Sequence, residues 1–468
     1  MFPTPPPVLH RYRRHAPKHA PCPLCGAPGR RKALCSRTVR GIAYHAMVLL
    51  HVTTGEYRAT CACCTTFRTQ VAEVQAKAHY TNAVREAVLD RLLEDRLNVE
   101  RLRAALQRDF FLELSTGFVY DCLRWKVAQL DGAAYRQWTV QEFSGTLCLD
   151  ELHLGVWTLL LATDPLHDFP VAFALVSNND QEHMGRFLRQ LRDHGLQPRV
   201  VVTDGSNLYP ALVAALWPQA THQLCVFHVV QEVTAAVLAA HKRLCRQQQR
   251  RGKAGRKRRR GRRQGRQRAP ELRVRDKAQF VFKHRYLLVK RRDRLTVWER
   301  RALQTLLEYL PGLRVLRQFM DQVYALVEPA QTLAQAWWRY GQWQATAAFG
   351  AVPELAAVVA GLTAAKFGKV VAFLRGALGQ RVRTNNHVER LNRQLRAEEK
   401  ARYGWRTGRG IVRWVALQME RCGRQRQAGA GPRLQGAGGG SGRDGGAGPP
   451  SSPPPSPAWP GDAAQVAG

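Results

Sequence analysis

Three acidic residues, each set in its own distinctive run of sequence, are the strongest chemical signal in this chain. Asp150 lies in Thr146-Leu147-Cys148-Leu149-Asp150-Glu151, Asp204 in Val200-Val201-Val202-Thr203-Asp204-Gly205, and Glu389 in Thr384-Asn385-Asn386-His387-Val388-Glu389-Arg390. Carboxylates gathered from distant segments can hold divalent cations. Two such ions roughly 3.5–4 Å apart activate an attacking oxygen and stabilise a leaving one in phosphoryl transfer. The background is cationic, with 72 Lys and Arg against 35 Asp and Glu, a formal charge of +37 and a pI near 10.8. An acidic cluster in such a field points to a polyanionic substrate, and to nucleic acid in particular.

The elements that must position these acids change character along the chain. Residues 1–20 are rich in Pro and Arg and are expected to be a disordered arm. Residues 21–75 hold two cysteine pairs separated by β-type segments such as Met47-Val48-Leu49-Leu50-His51-Val52. Over 80–130, Val84, Val88, Leu89, Leu92 and Leu93, then Val99, Leu102, Ala105 and Leu106, recur at helical spacing. Ser115 reads as the N-cap of a third helix in this unit. From 144 the period shortens. Strands are expected at 144–151, 156–163 and 169–176, a helix at 180–194, a strand at 199–203 and a helix at 206–217. A strand at 221–225 and a helix at 228–243 follow. Three strands, helix, strand, helix, strand, helix is the order of a ribonuclease-H-like (retroviral-integrase-like) α/β domain. That domain is expected to span 144–423, interrupted by a basic linker at 242–276 and an all-α insertion at 277–380. Lys242–Arg268 alone carries 15 Lys or Arg and no acid. Beyond 424, Gly, Ala, Pro and Ser dominate, and 424–468 is expected to be a disordered tail.

In this frame Asp150 sits inside an apolar strand, where an unpaired carboxylate is costly. Asp204 follows a buried strand at its carboxyl end, where ligand sites in open α/β sheets gather. If the first and fourth strands are neighbours, roughly 4.8 Å apart, the two aspartates can share a cation. A helix packed on the sheet would return Glu389 to them. Plainer readings stand beside these: Asp204-Gly205 as a turn, Asn386-x-x-Glu389 as a capping box, and Asp150 as an edge-strand charge. The surrounding strand–helix order favours the joint reading.

The motifs themselves resemble a known family. Asp204-Gly205-Ser206-Asn207-Leu208-Tyr209-Pro210 with Gln223-Leu224-Cys225-Val226-Phe227-His228 is similar to the second-acid block of the DDE transposases of bacterial insertion sequences, in the superfamily that includes Mutator-like transposases. Thr384 to Arg393 resembles their third-acid helix, and Arg402-Tyr403-Gly404-Trp405-Arg406 its sequel. Residues 277–330, with Tyr286-Leu287-Leu288-Val289-Lys290, resemble the helical insertion of the zinc-ribbon branch. The resemblance implies a ribonuclease-H-like catalytic domain, dependence on Mg²⁺ (or Mn²⁺), and cutting and joining of element-end DNA, with Asp150, Asp204 and Glu389 as catalytic metal ligands. It also implies double-stranded DNA (terminal repeats and target) as partner and a homo-oligomer that synapses two ends. The basic tract and the tail are outside the pattern. Two other classes stay open: a non-catalytic DNA-binding protein of transposase descent, and a structure-specific ribonuclease-H-like nuclease.

Cys22-x2-Cys25 and Cys61-x2-Cys64 can close a tetrahedral structural Zn²⁺ site, and Gly26 suits the tight knuckle. Cys63 competes with Cys64, Cys35 is a weaker substitute, and free buried thiols are the alternative. The three helices at 80–130 suit a helix-turn-helix whose third helix brings Arg124 and Lys126 to DNA, unless they are a spacer. Arg390, Arg393 and Arg396 form a basic stripe on the Glu389 helix, facing phosphate or simply solvent. Cys225 and His228 are accessory candidates, with packing the simpler role. Trp298, Trp337 and Trp338 are expected to pack in the core rather than stack on an exposed base. No apolar run reaches membrane-spanning length, the start lacks a secretory signal, and the cysteine pattern suits a reducing compartment. The expected place is therefore the bacterial cytoplasm, at the nucleoid, with no membrane partner.

Overall fold

A computed structural model describes residues 8–43, 46–257, 268–401, 405 and 407–429. The first unit is a five-stranded sheet of β1 (Val8–His15), β2 (His19–Pro21), β3 (Pro28–Ala43), β4 (Ala46–Arg58) and β5 (Thr66–Arg68), ordered β1-β4-β3-β2 with β5 on β4. Its small core is Val39, Leu50, Val52 and Val74. The segment expected to be a disordered arm is therefore strand from Val8 onward. Its parallel pairing with β4 supplies backbone partners that its Arg-rich composition hides. Residues 1–7 lie outside the described residues.

Four helices follow: α1 (Asn82–Leu93), α2 (Val99–Phe110), α3 (Thr116–Val127) and α4 (Gly132–Glu142). Asn98 and Ser115 cap α2 and α3 by accepting from Arg101 N and Phe118 N. Helix α4, capped by Asp131, was not expected.

The central sheet is β6 (Thr146–Leu154), β7 (Trp157–Asp164), β8 (Phe169–Val176), β9 (Val200–Thr203) and β10 (Thr221–Leu224), in the order β10-β9-β6-β7-β8. Strands β6, β7 and β8 form an antiparallel meander, and β9 and β10 run parallel to β6. Gly155, at φ +64°, makes the two-residue turn between β6 and β7, a left-handed conformation that favours glycine. The intervening α5 (Gln181–Asp193) and α6 (Tyr209–Leu216) cover one face, burying Leu147, Leu149, Leu160 and Val201. The other face buries Cys148, Leu152, Leu161 and Val202 against α15 (Asn386–Ala401) and α16 (Gly408–Gly429), and this core continues into α1–α3. Strand alternation therefore sends Asp150 towards α15 and Glu151 towards α6.

Helix α7 (Val226–Lys257) leaves the sheet and carries the first half of the basic tract as helix rather than as linker. Residues 258–267 lie outside the described residues. The insertion comprises α8 (Arg268–Lys283), α9 (Val297–Tyr309), α10 (Leu313–Leu326), α11 (Leu333–Gln344), α12 (Ala347–Gly350), α13 (Pro353–Gly361) and α14 (Ala364–Val370), with short 3₁₀ turns. Its core, with Phe319, Met320, Trp343 and Phe367, is continuous with the apolar face of α7. Gln223 fastens it to the sheet edge: the buried amide accepts from Phe373 N at 2.6 Å and donates to Val370 O at 2.8 Å. None of the three tryptophans is a core residue: Trp337 packs edge-on against Phe367 yet is 38% exposed, and Trp298 and Trp338 are 76% and 68% exposed. Helix α16 runs to Gly429, past the expected start of the tail, because Ile411, Trp414, Val415 and Met419 are buried beneath it. Residues 430–468 and the motif residues 402–404 and 406 lie outside the described residues.

Candidate active site

The parallel register pairs Cys148 with Val202, so Asp150, in the middle of β6, and Asp204, just past the carboxyl end of β9, each stand two residues beyond that pair on neighbouring strands. Asp204 Oδ1 accepts from Ser206 N at 2.9 Å. The turn reading of Asp204-Gly205 therefore holds together with the placement at the pocket.

Glu389 comes from α15, which is anchored by its N-terminal approach and brings Glu389 beside His228, whose surroundings also include Asp204. Asn385, fully buried, donates its side-chain amide to Leu149 O at 2.6 Å and its backbone N–H to Cys225 Sγ at 3.2 Å. Val226 N donates to Arg383 O at 2.9 Å. Asn385 is thus spent on the central strand next to Asp150, and Glu389 Oε1 is buried without a hydrogen-bond partner. One turn on, Asn392 donates to Asp150 Oδ2 at 2.7 Å. On the other side, His228 Nε2 stands 3.8 Å from Glu389 Oε1. Cys225, His228 and Glu389 offer ligand atoms that all lie within 4.8 Å of one another.

The electrostatics are those of crowded acids. Burial pushes the Asp150 carboxyl up to about 7, and the charges of Glu151 and Asp204 add to this. The Glu151 backbone N–H and His228 pull the other way. Glu151, on the opposite face of β6, is likewise raised, chiefly by burial and also by Asp204, against the hydroxyl of Tyr209. His228 is raised to about 9, first by its hydrogen bond to Cys225 and then by the negative fields of Cys225, Glu389 and Asp204. Glu389 Oε1 therefore has the His228 cation as a neighbour but no hydrogen bond, and a buried carboxylate oxygen without a donor is costly. The group whose ligand atoms lie together is mixed, one thiol sulfur, one imidazole nitrogen and one carboxylate oxygen, without Asp150 or Asp204; a hard-oxygen set for Mg²⁺ or Mn²⁺ needs those two aspartates drawn in as well.

The remaining sequence candidates are placed as follows. Sγ atoms of Cys22, Cys25, Cys61 and Cys63 form a second group with ligand spacing, and Gly26 makes the knuckle at φ +77°. Cys63 Sγ is 3.1 Å from those of Cys25 and Cys61, while Cys64 Sγ is 3.5 Å from that of Cys22. Five thiols therefore crowd one corner. Cys35 is outside it, 4.0 Å from Glu56. Backbone N–H groups of Leu24 and Cys25 draw the Cys22 thiol down to about 6. On α3, Arg124 is exposed and ion-paired with Asp121, whereas Lys126 is mostly covered and bound to Glu86 at 3.0 Å. On α15, Arg390 is tied to Asp168 at 2.8 Å, Arg393 projects to solvent, and Arg396 is near Glu399 at 3.4 Å. The sequence reading missed Asn392 and Asn385. Their only signal was amide side chains one turn from, and just before, the third acid.

A family model described as Transposase, that of the ISL3-group DDE transposases, matches residues 147–409. That is more than half of the 468 residues, and the chain belongs to this family. No curated protein matches it. Among the described residues, no helix is long and apolar enough to cross a membrane.

Proposed function

We propose that this chain is a divalent-metal-dependent DDE transposase that cleaves DNA at insertion-sequence ends and joins those ends to target DNA. The observation that carries the reading is the field the three acids share through His228: it acts on Asp150, is acted on by Asp204, and stands 3.8 Å from Glu389 Oε1, a buried oxygen with no hydrogen bond. The strand order β10-β9-β6-β7-β8 supports a ribonuclease-H-like catalytic domain, with α8–α14 as its insertion. Asp150, Asp204 and Glu389 would hold Mg²⁺ (or Mn²⁺), which when bound supplies charge stabilisation at the reacting phosphate. Asn392 fixes the orientation of Asp150, Asn385 fixes the approach of α15, and His228 sets a positive charge beside Glu389. Water attacks the phosphodiester at the element end and frees a 3′-hydroxyl. That hydroxyl then attacks the target phosphodiester, with no covalent protein–DNA intermediate.

The thiolates of Cys22, Cys25 and Cys61 with Cys64, or Cys63 in its place, would hold a structural Zn²⁺, making the N-terminal sheet a zinc ribbon. With α1–α3 as a helix-turn-helix, this half recognises terminal repeats, and a homo-oligomer synapses two ends at the bacterial nucleoid. The motifs further support placement in the wider Mutator-like superfamily. Purified protein, element-end DNA and Mg²⁺ test the reading: Asp204→Asn is expected to bind DNA and to neither cut nor join it. Cutting at the wild-type level by that variant removes the mechanism. Cutting of branched DNA without joining by the wild type makes the chain a nuclease instead.

A further inference from the structure

The N-terminal sheet has two faces of opposite character. Residues 1–80 contain 12 Lys or Arg but only two acids, Glu56 and Glu73. Both acids are spent on the covered face, Glu56 on Arg68 at 2.7 Å and Glu73 on Arg13 at 2.9 Å. Alternation along the strands sends His10, Tyr12 and Arg14 of β1 to the other face. The register sets Tyr12 beside His51 and Thr38, and Arg14 beside Thr53 and Ser36. Arg40 of β3 is exposed on the same face. No carboxylate stands on this face between Leu34 and Ile42, Met47 and Thr53, or Val8 and Arg14.

Three rings form a ladder there. His51 is stacked between His10 at 5.3 Å and Tyr12 at 4.7 Å, with interplanar angles of 10° and 16°. The ladder is held upright by His10 Nδ1 to His51 Nε2 at 3.0 Å and by Thr38 Oγ1 to His51 Nδ1 at 3.1 Å. Tyr12 is 74% exposed. Both His51 ring nitrogens are used inside the ladder, which leaves the exposed Tyr12 ring, with the guanidinium groups of Arg14 and Arg40 at the rim, as a surface that offers donors and no fixed negative charge. Phosphodiester oxygens are the complement of such a surface.

We propose that this face of β1, β4 and β3 docks on the phosphate backbone of duplex DNA, positioning the chain without reading sequence. The proposal rests on DNA being the substrate and goes further by naming which face of the sheet meets the duplex and that it meets phosphate rather than base edges. The test uses the full chain and a fluorescein-labelled duplex of arbitrary sequence, with affinity followed against salt. Arg14→Gln/Arg40→Gln is expected to lower the salt slope by about 2 and the affinity by about tenfold or more at physiological salt. Tyr12→Ala is expected to weaken binding with the slope nearly kept. The control Lys18→Gln/Lys77→Gln removes the same charge from bends outside the strands and is expected to stay within about threefold. Equal losses in the two double variants would mean that net charge alone binds, and would overturn the proposal. So would unchanged affinity in both face variants, or a loss of self-association with DNA affinity kept. Asp204→Asn, binding normally in the same titration, separates this interface from the catalytic reading; a wild type that does not bind duplex DNA sinks both.

Discussion

Asn392→Leu tests the site at its most exposed assumption, that an amide on α15 holds Asp150 in its working state. The Asn392 amide donates 2.7 Å to Asp150 Oδ2, and the asparagine is 9% exposed, so water cannot replace it without cost. A hydrogen bond to a charged group contributes about 1.5–3 kcal/mol. Asp150 is already pushed up to about 7 by burial and its acidic neighbours, and losing the donor disfavours its ionised form further. At about 1.4 kcal/mol per factor of ten, cleavage at limiting Mg²⁺ should fall roughly 10- to 100-fold. The apparent Mg²⁺ requirement should rise, while duplex affinity stays at wild type. Asn392→Asp should be worse than Asn392→Leu, because it sets a carboxylate against a carboxylate. Asn392→Leu cutting within about threefold of wild type at limiting Mg²⁺, with its circular dichroism unchanged, would refute this account.

Gln223→Leu leaves Phe373 N–H and Val370 C=O buried and unpaired. At about 1–3 kcal/mol each, chemical denaturation should show a loss of roughly 2–5 kcal/mol, and a loss below about 1 kcal/mol would count against the insertion being fastened there. Burial and Lys369 hold His222 down to about 4 from 6.5. Its unfolded form therefore takes up a proton first, and the stability tied to the neutral ring is complete above pH 6.5 and drains as pH falls towards 4. That component is at most roughly 3 kcal/mol; His222→Gln should flatten the denaturation-versus-pH curve in that window, and an unaltered curve would be the contrary result. Cys22→Ser should lose bound zinc and loosen the N-terminal sheet, as read by metal analysis and proteolysis, while Cys35→Ser keeps its zinc; equal zinc in both would dissolve the ribbon.

The central sheet was legible because each of its strands is short, apolar and punctuated, and the expected bounds fall within a few residues of those seen. The positions of Asp150 within one strand and of Asp204 just past another followed from the same local pattern. What escaped the sequence is either paired at long range or masked by composition. Strand β1 is fully exposed and Arg-rich, so no alternation marks it, and only β4 makes it a strand. Helix α7 runs on through Gly252 and Gly255 although glycine and like charge argue locally for a linker. The pairing of Lys126 with Glu86 joins two helices 40 residues apart, and nothing in the local pattern announces it. Asn392 is invisible for the same reason, because its partner lies on a strand 242 residues earlier.

The anchoring of α15 by Asn385 has a consequence for the timing of synthesis. Strands β6 to β10 can form their order as soon as they leave the ribosome, but the last carboxylate arrives only after the whole helical insertion has been made. On the proposed reading, a nascent or prematurely ended chain would carry its cationic portions without the third acid of its site. If that reading holds, late delivery of one side chain would leave an unfinished copy unable to cut DNA.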